Sequence, residues 1–266
     1  MQIKLPAWLI LCLPLFSPGA LLGQTGAVRH PEGLLHAFVV LKTLGGTSLA
    51  DGELVQTPRG DQVTARLLFH FKDGSVHDET SVFAQRQRFR LITHHLVQKG
   101  RRFPQPLDMS IDASTGRVTV RYREDGKEKV ETEQIGVIPD LANGLIVTLL
   151  KNAQSGDPPA TISYIAAAPK PRLVKLTITK VGEEPFSTGG LTRKATHYVL
   201  KVGIGGFSGL LAPLVGKQPP DNHVWILHDE VPAFLKSEQP LYIGGPVWRI
   251  ETVSPGWPRT GPATQK

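Results

Sequence analysis

Residues 62–98 read QVTARLLFHFKDGSVHDETSVFAQRQRFRLITHHLVQ, and this stretch decides the fold that the sequence predicts. From Val63 to Phe71, apolar side chains stand at every second position. A strand directs alternate side chains to opposite faces, so the pattern predicts a strand with one apolar face. Asp73-Gly74 follows, and glycine adopts the positive φ of a tight turn without steric cost. We therefore expect a β-hairpin here, from which an antiparallel sheet extends.

A second hairpin is predicted around Asp125-Gly126. A two-residue loop at this point places Glu124 opposite Lys127, and Arg123 opposite Glu128. Opposite charges that face each other across a ladder contribute about 0.2–1 kcal/mol each, which supports this register.

The best helix candidate covers residues 139–152. Pro139 and Asp140 suit a helix start, and Leu141, Leu145 and Leu149 recur on one side. We expect this helix to cover one face or end of the sheet. The expected fold is therefore mainly β, a curved antiparallel sheet or half-barrel, formed by a single domain over residues 24–257. Residues 258–266 are predicted to be a disordered tail.

The start of the chain predicts export. Lys4 precedes an apolar run and then the small-residue stretch SPGALLG, which is typical of a cleaved signal peptide over residues 1–23. The apolar run is too short and too interrupted by proline for a transmembrane span, which needs about 20 apolar residues. The single cysteine, Cys12, lies inside it. The mature chain is therefore expected to be periplasmic or secreted, without cysteine and without a membrane span.

The charge and the motifs indicate no cofactor and no nucleic-acid partner. A formal net charge of +7 is typical of a solvated basic surface. The arginines and lysines are not interleaved with aromatic residues as nucleic-acid binding requires. Glycine-rich segments lack the lysine of a phosphate-binding loop, and no serine stands in a nucleophile elbow. We find no catalytic constellation and expect a protein that is not an enzyme.

Two histidines of the central hairpin are candidate metal ligands. If the loop at Asp73-Gly74 has two residues, His70 lies directly opposite His77. Two imidazoles can bind a metal ion, but a zinc site needs three or four ligands and the spacing fixes no third. Two solvated imidazoles on a polar face are the simpler interpretation, and a three-residue loop would separate the pair.

An irregular, Gly- and Pro-rich segment covers residues 205–222. Its first part is apolar and either packs over the core or forms an exposed apolar lip. The candidate ligand-binding residues of the chain lie in this segment and on the strand that follows it: Phe207, Leu210, Leu211, Leu214 and Trp225.

Residues 193–202 (RKATHYVLKV) and 223–236 (HVWILHDEVPAFLK) resemble a bacterial family of exported β proteins of unknown function. In that family a strand with a tryptophan precedes an acidic residue and a proline, here Trp225, Asp229 and Pro232. The family is similar in architecture to the periplasmic lipoprotein carrier, a curved antiparallel sheet partly covered by a helix. The resemblance implies that residues 139–152 are the covering helix, and the segment 205–222 departs from the family's pattern.

Three functions follow as hypotheses. The first is a non-enzymatic envelope or secreted protein that binds an apolar small molecule, a lipid or a protein partner on the concave side of its sheet. The second is a structural or assembly factor of the envelope that docks through an edge strand or the segment 205–216. The third is a metal-dependent hydrolase, which would need a third ligand or a base beside His70 and His77.

Overall fold

The central hairpin forms where the alternating pattern predicts it. In the computed structural model, which describes residues 26–154, 156–188, 191–203 and 219–253, the side chains of Val63, Phe69 and Phe71 are buried on one face. Phe71 N donates a hydrogen bond to Ser75 O at 2.9 Å, and Gly74 has a φ of 81°. The loop between Phe71 and Ser75 therefore has three residues, one more than the predicted two-residue turn.

The described residues contain fourteen strands and one short helix. The strands are β1 (Leu35–Thr43), β2 (Ser48–Arg59), β3 (Gln62–Phe71), β4 (Val76–Gln85), β5 (Phe89–Lys99), β6 (Leu107–Asp112), β7 (Arg117–Glu124), β8 (Lys127–Gln134), β9 (Ala160–Ala166), β10 (Arg172–Thr188), β11 (Leu191–Val202), β12 (Asn222–Leu227), β13 (Ala233–Gln239) and β14 (Trp248–Val253), and the helix is α1 (Ile146–Lys151).

All fourteen strands belong to one antiparallel sheet in the order β8-β7-β6-β5-β4-β3-β2-β1-β14-β13-β12-β11-β10-β9. Two meanders, β1–β8 and β9–β14, meet where β1 pairs with β14, as in Leu41 opposite Ile250. The sheet is open, with β8 and β9 as its edges. The prediction of a mainly β, curved antiparallel sheet with one covering helix is confirmed.

The hairpin of β7 and β8 has the predicted register. Glu124 faces Lys127 and Arg123 faces Glu128, across a turn in which Asp125 and Gly126 have φ of 53° and 74°. Positive φ at both central residues is the geometry that joins antiparallel strands in two-residue loops. The sequence was sufficient here because turn chemistry and cross-strand charge agree.

The covering helix is shorter than the predicted 139–152. Residues 140–143 pair with β9 instead, because Ser163 N donates to Asp140 O at 3.1 Å and Ala142 N donates to Ser163 O at 2.9 Å. The Asn143 side chain bonds both backbone groups of Ile165, each at 2.9 Å. These residues therefore satisfy the free edge of β9, and the helix begins only after Gly144.

The curvature brings distant strands into one core. Val63 of β3, Met109 of β6 and Ile165 of β9 belong to the same buried cluster, together with Leu141 and Leu145 from the segment before the helix. The apolar side of that segment thus lies against the inner face of the sheet. Between this packing and the inner faces of the remaining strands, a cavity is left.

Candidate ligand-binding cavity

The cavity has a volume of about 450 Å³ and is lined mainly by apolar side chains. This volume lies within the range of about 300–1,000 Å³ that is usual for small-molecule sites. Its walls come from both meanders and from the helix. The apolar wall residues that the structure places there include Val39, Leu54, Ala65, Leu67, Leu96, Ile146, Val147, Ala166, Val174, Leu176, Val202, Val224, Phe234 and Ile250.

One strand contributes a polar wall. The first three inward positions of β4 are His77, Glu79 and Ser81, and all three line the cavity. Among the described lining residues, Glu79 is the only acidic side chain, and none is a lysine or an arginine. A carboxylate in an apolar cavity is costly unless partners compensate it, so the neighbours of Glu79 decide its state.

Two imidazoles flank the Glu79 carboxylate. Its Oε2 lies 3.6 Å from Nε2 of His77, and its Oε1 lies 3.8 Å from Nδ1 of His94 on β5. Burial alone would raise the pKa of the Glu79 carboxyl, but the interaction with His77 and the charges of both histidines outweigh it and hold the pKa below its ordinary value. The group is therefore a carboxylate at neutral pH.

The tautomer of His77 follows from its other neighbour. Gln98 Nε2 donates to Nδ1 of His77 at 3.1 Å and to the carbonyl oxygen of Leu241 at 2.6 Å. Since Nδ1 accepts, the proton of a neutral His77 lies on Nε2, which faces Glu79. This Nε2 is buried and has no hydrogen-bond partner among the described residues. Gln98 also ties the polar wall to the loop of residues 240–245 at the cavity.

His94 lies behind the polar wall. Its Nδ1 is 2.9 Å from Ser81 Oγ, and Ser81 Oγ in turn donates to the carbonyl oxygen of Asn143 at 3.4 Å. Burial lowers the pKa of His94, although the Glu79 carboxylate opposes this. Ser81 and Glu79 both face the same ring nitrogen of His94. The arrangement therefore differs from a nucleophile relay, in which serine and acid contact opposite nitrogens.

Two further residues close the polar wall. Gly144 approaches it so closely that a Cβ there would lie 1.9 Å from Ser81 Oγ and 3.4 Å from Glu79 Oε1. Tyr164 of β9 also lines the cavity, and burial, followed by the charge of Glu79, raises the pKa of its phenol. Helix entry, β9 and β4 thus meet around one carboxylate.

The two candidate metal ligands do not come together. Phe69, not His70, faces His77, and His70 pairs with Val76, so the predicted pairing is wrong by one residue. The reason is the longer loop between Phe71 and Ser75. His70 is exposed on the outer face, whereas His77 is buried on the inner face. Among the described residues no group of three His, Cys, Asp or Glu side chains is arranged to hold a metal ion.

Trp225 lies outside the cavity. Its neighbours Val224 and Ile226 are the inward residues of β12, so the indole lies on the outer face, although only 6% of Trp225 is exposed. His197 stacks on the indole at 4.2 Å, and Trp225 Nε1 donates to Glu184 Oε2 at 2.8 Å. Trp225 is one of the candidate ligand-binding residues, and the structure places it on the outer face, where it links β12 to β10 and β11.

The other four predicted ligand-binding residues, Phe207, Leu210, Leu211 and Leu214, lie outside the described residues. So do the predicted signal peptide, residues 1–23, and the predicted tail, residues 258–266.

Glu79 and Ser81 were missed in the sequence. The signal that could have found them is the alternation of β4 itself: His77, Glu79 and Ser81 share the phase of Phe83, which is fully buried. A polar residue in the apolar phase of a strand is a candidate site residue, because burying it carries a cost.

The structure places the chain in the class of mainly β proteins. Its open, curved antiparallel sheet holds an apolar cavity with one polar wall. No protein-family model and no curated protein matches the chain. Among solved structures, it is similar to a beta-barrel-like protein of the domain of unknown function DUF1849 from Brucella abortus, with 10% identity and a TM-score of 0.48. The similarity covers 85% of this chain and 98% of that chain. In the described part of the chain, no helix has the length and apolar character needed to cross a membrane.

Proposed function

We propose that this protein is a non-enzymatic exported protein that binds an apolar small molecule or a lipid in the cavity between its curved sheet and α1. The observation that carries the proposal is the cavity itself, about 450 Å³ of space with mainly apolar walls. Protein interiors are normally close-packed, so an apolar cavity of this size supports a ligand-binding role.

Some apolar residues of the cavity wall are only partly buried, which supports the proposal. Leu54 and Leu67 line the cavity and are only partly buried, while Phe69 on the same face of β3 is fully buried. An apolar ligand would cover this surface and gain about 25 cal/mol for each Å² removed from water.

Export is part of the proposal. It rests on the signal-peptide pattern of residues 1–23 and on the resemblance of residues 193–202 and 223–236 to exported β proteins. Fractionation of cells that express the full chain tests it: the protein should be recovered from the periplasm or medium and should lack its first residues. Recovery of the uncleaved chain from the cytoplasm contradicts this part alone.

Binding is tested with the uncharged apolar dye N-phenyl-1-naphthylamine, whose fluorescence rises in an apolar environment. We expect saturable binding of one dye per chain. The variant Leu67→Trp places an indole in the cavity and narrows it, and it should weaken binding at least tenfold. Its matched control is Thr64→Trp on the exposed side of the same strand, which should bind as wild type does. Equal binding by wild type and Leu67→Trp, with both folded, contradicts the proposal.

A further inference from the structure

Packing does not require a carboxylate at position 79. Along the row that crosses the inner face of the sheet, Glu79 stands between Leu67 of β3 and Leu96 of β5, and the row continues to Leu54 and Met109. An apolar residue at this position would continue a uniformly apolar layer. Replacing a buried ionic pair with apolar residues of similar volume is often neutral or stabilising, so packing alone does not call for a carboxylate here.

The carboxylate oxygens also lack close donors. The flanking imidazole nitrogens of His77 and His94 are 3.6 Å and 3.8 Å away, beyond the usual hydrogen-bond distances of about 2.7–3.2 Å. The Glu79 side chain keeps 21% of its surface accessible, and it lines the cavity. Its remaining lone pairs are therefore open to a donor that enters the cavity.

A second side chain carries an acceptor without a partner. Oε1 of Gln56 is buried without a hydrogen-bond partner among the described residues, and Gln56 lines the cavity on β2. Gln56 pairs with Ala65, and Ala65 pairs with Ser81, so Gln56 and the polar wall lie on the same inner face. Buried polar atoms are normally satisfied, and those left open in a cavity indicate the polarity of what fills it.

The side chains that line the cavity carry a net negative charge. The described cavity lining holds a carboxylate and no lysine or arginine. An anionic head group would meet the negative charge of Glu79 without a fixed cation to offset it. A hydroxyl or an ammonium group can instead donate a hydrogen bond to Glu79.

We propose that the ligand of this cavity is an amphiphile whose head group donates hydrogen bonds to Glu79, a hydroxyl or a protonated amine, and that Glu79 excludes amphiphiles with anionic heads. This inference rests on the proposed function and names the class of ligand. The apolar walls hold the chain of the amphiphile, and the acceptors of Glu79 and Gln56 hold its head.

The experiment measures displacement of N-phenyl-1-naphthylamine from the full chain at pH 7.5 by three probes with the same ten-carbon chain: 1-decanol, decylamine and decanoate. We expect 1-decanol and decylamine to displace the dye at concentrations at least about tenfold lower than decanoate. In Glu79→Gln, decanoate should improve and decylamine weaken, so that the probes differ by less than about threefold. Glu131→Gln on the exposed edge strand β8 is the charge control and should keep the wild-type order.

Decanoate that binds wild type as tightly as 1-decanol overturns the inference while the proposed function stands. The inference is also overturned if the Glu79→Gln protein shows a cooperative thermal unfolding transition and keeps the wild-type order of the three probes. Failure of the dye to bind wild type overturns the proposed function and this inference with it. The wild-type series decides the question even if the variant does not fold.

Discussion

Nε2 of His77 lies 3.6 Å from Oε2 of Glu79, two residues further along the same strand and on the same inward face. Gln98 fixes the ring of His77 from the other side through Nδ1. A carboxylate and an imidazole are thus held at the wall of an apolar cavity by groups that belong to the sheet.

Glu79→Leu should leave the free energy of unfolding within about 1 kcal/mol of wild type, because extending the apolar row of Leu67 and Leu96 offsets the lost contacts with His77 and His94. Urea denaturation measures the change. Glu131→Leu on exposed β8 should stay within about 0.5 kcal/mol of wild type. A Glu79→Leu protein that loses more than about 1 kcal/mol would show that the carboxylate supports the fold.

Stability should fall as the pH drops below about 6.5, with His94 as one cause. His94 titrates near its ordinary value of 6.5 in the unfolded chain, whereas burial lowers its pKa in the folded protein. The unfolded chain therefore binds the proton more readily, and acid favours it. The lowered pKa of Glu79 acts in the same direction, with a loss that starts near its ordinary 4.5.

The contribution of His94 is isolated by His94→Asn. His197 and His228 also have lowered pKa values, chiefly through burial, and contribute to the same decline. Between pH 7 and 5, the variant should lose less stability than wild type, by about 1.4 kcal/mol for each unit by which the folded pKa is lowered. Thermal unfolding across this range measures the slope, and parallel slopes for the two proteins contradict the prediction.

Gly144→Ala should destabilise the protein by about 2–4 kcal/mol. Gly144 has a φ of 70°, and a Cβ would lie 1.9 Å from Ser81 Oγ, so backbone strain and a clash add together. Gly126→Ala is the matched control, because Gly126 has a φ of 74° but open space around its Cα. It should cost about 1 kcal/mol. Equal losses of unfolding free energy in the two variants would contradict a tight contact between Gly144 and Ser81.

Trp225→Phe should lower stability by about 1 kcal/mol and leave dye affinity unchanged. The change removes the hydrogen bond to Glu184 and weakens the contact with Lys236, whose Nζ lies 4.1 Å above the indole, but both are on the outer face. Val224→Phe on the inner face of the same strand should weaken dye binding. A Trp225→Phe protein that folds but no longer binds dye would show that Trp225 contributes to the ligand site.

Much of the fold could be predicted because local signals agree with the tertiary structure. Alternation gave the inner face of β3, and turn residues with paired charges gave the register of β7 and β8. The helix was overestimated, since nothing local shows that Asn143 bonds the backbone of Ile165, a contact between residues far apart in the chain.

The site was harder to predict for a physical reason. One additional loop residue between Phe71 and Ser75 shifts the pairing, and in a strand a shift of one residue exchanges the two faces. The shift separates His70 from His77 and sets Glu79 between the two buried imidazoles. His94 reaches the carboxylate from the next strand, and this proximity depends on the register of β4 with β5, which includes a bulge at Val82 and Phe83.

Native mass spectrometry of the full chain with 1-decanol tests the central claim, an apolar ligand inside the sheet, most directly. We predict an adduct of one decanol per chain in wild type and in Thr64→Trp, and a clearly weaker adduct in Leu67→Trp. Folded wild type without an adduct, or the same adduct in Leu67→Trp, would contradict binding in this cavity.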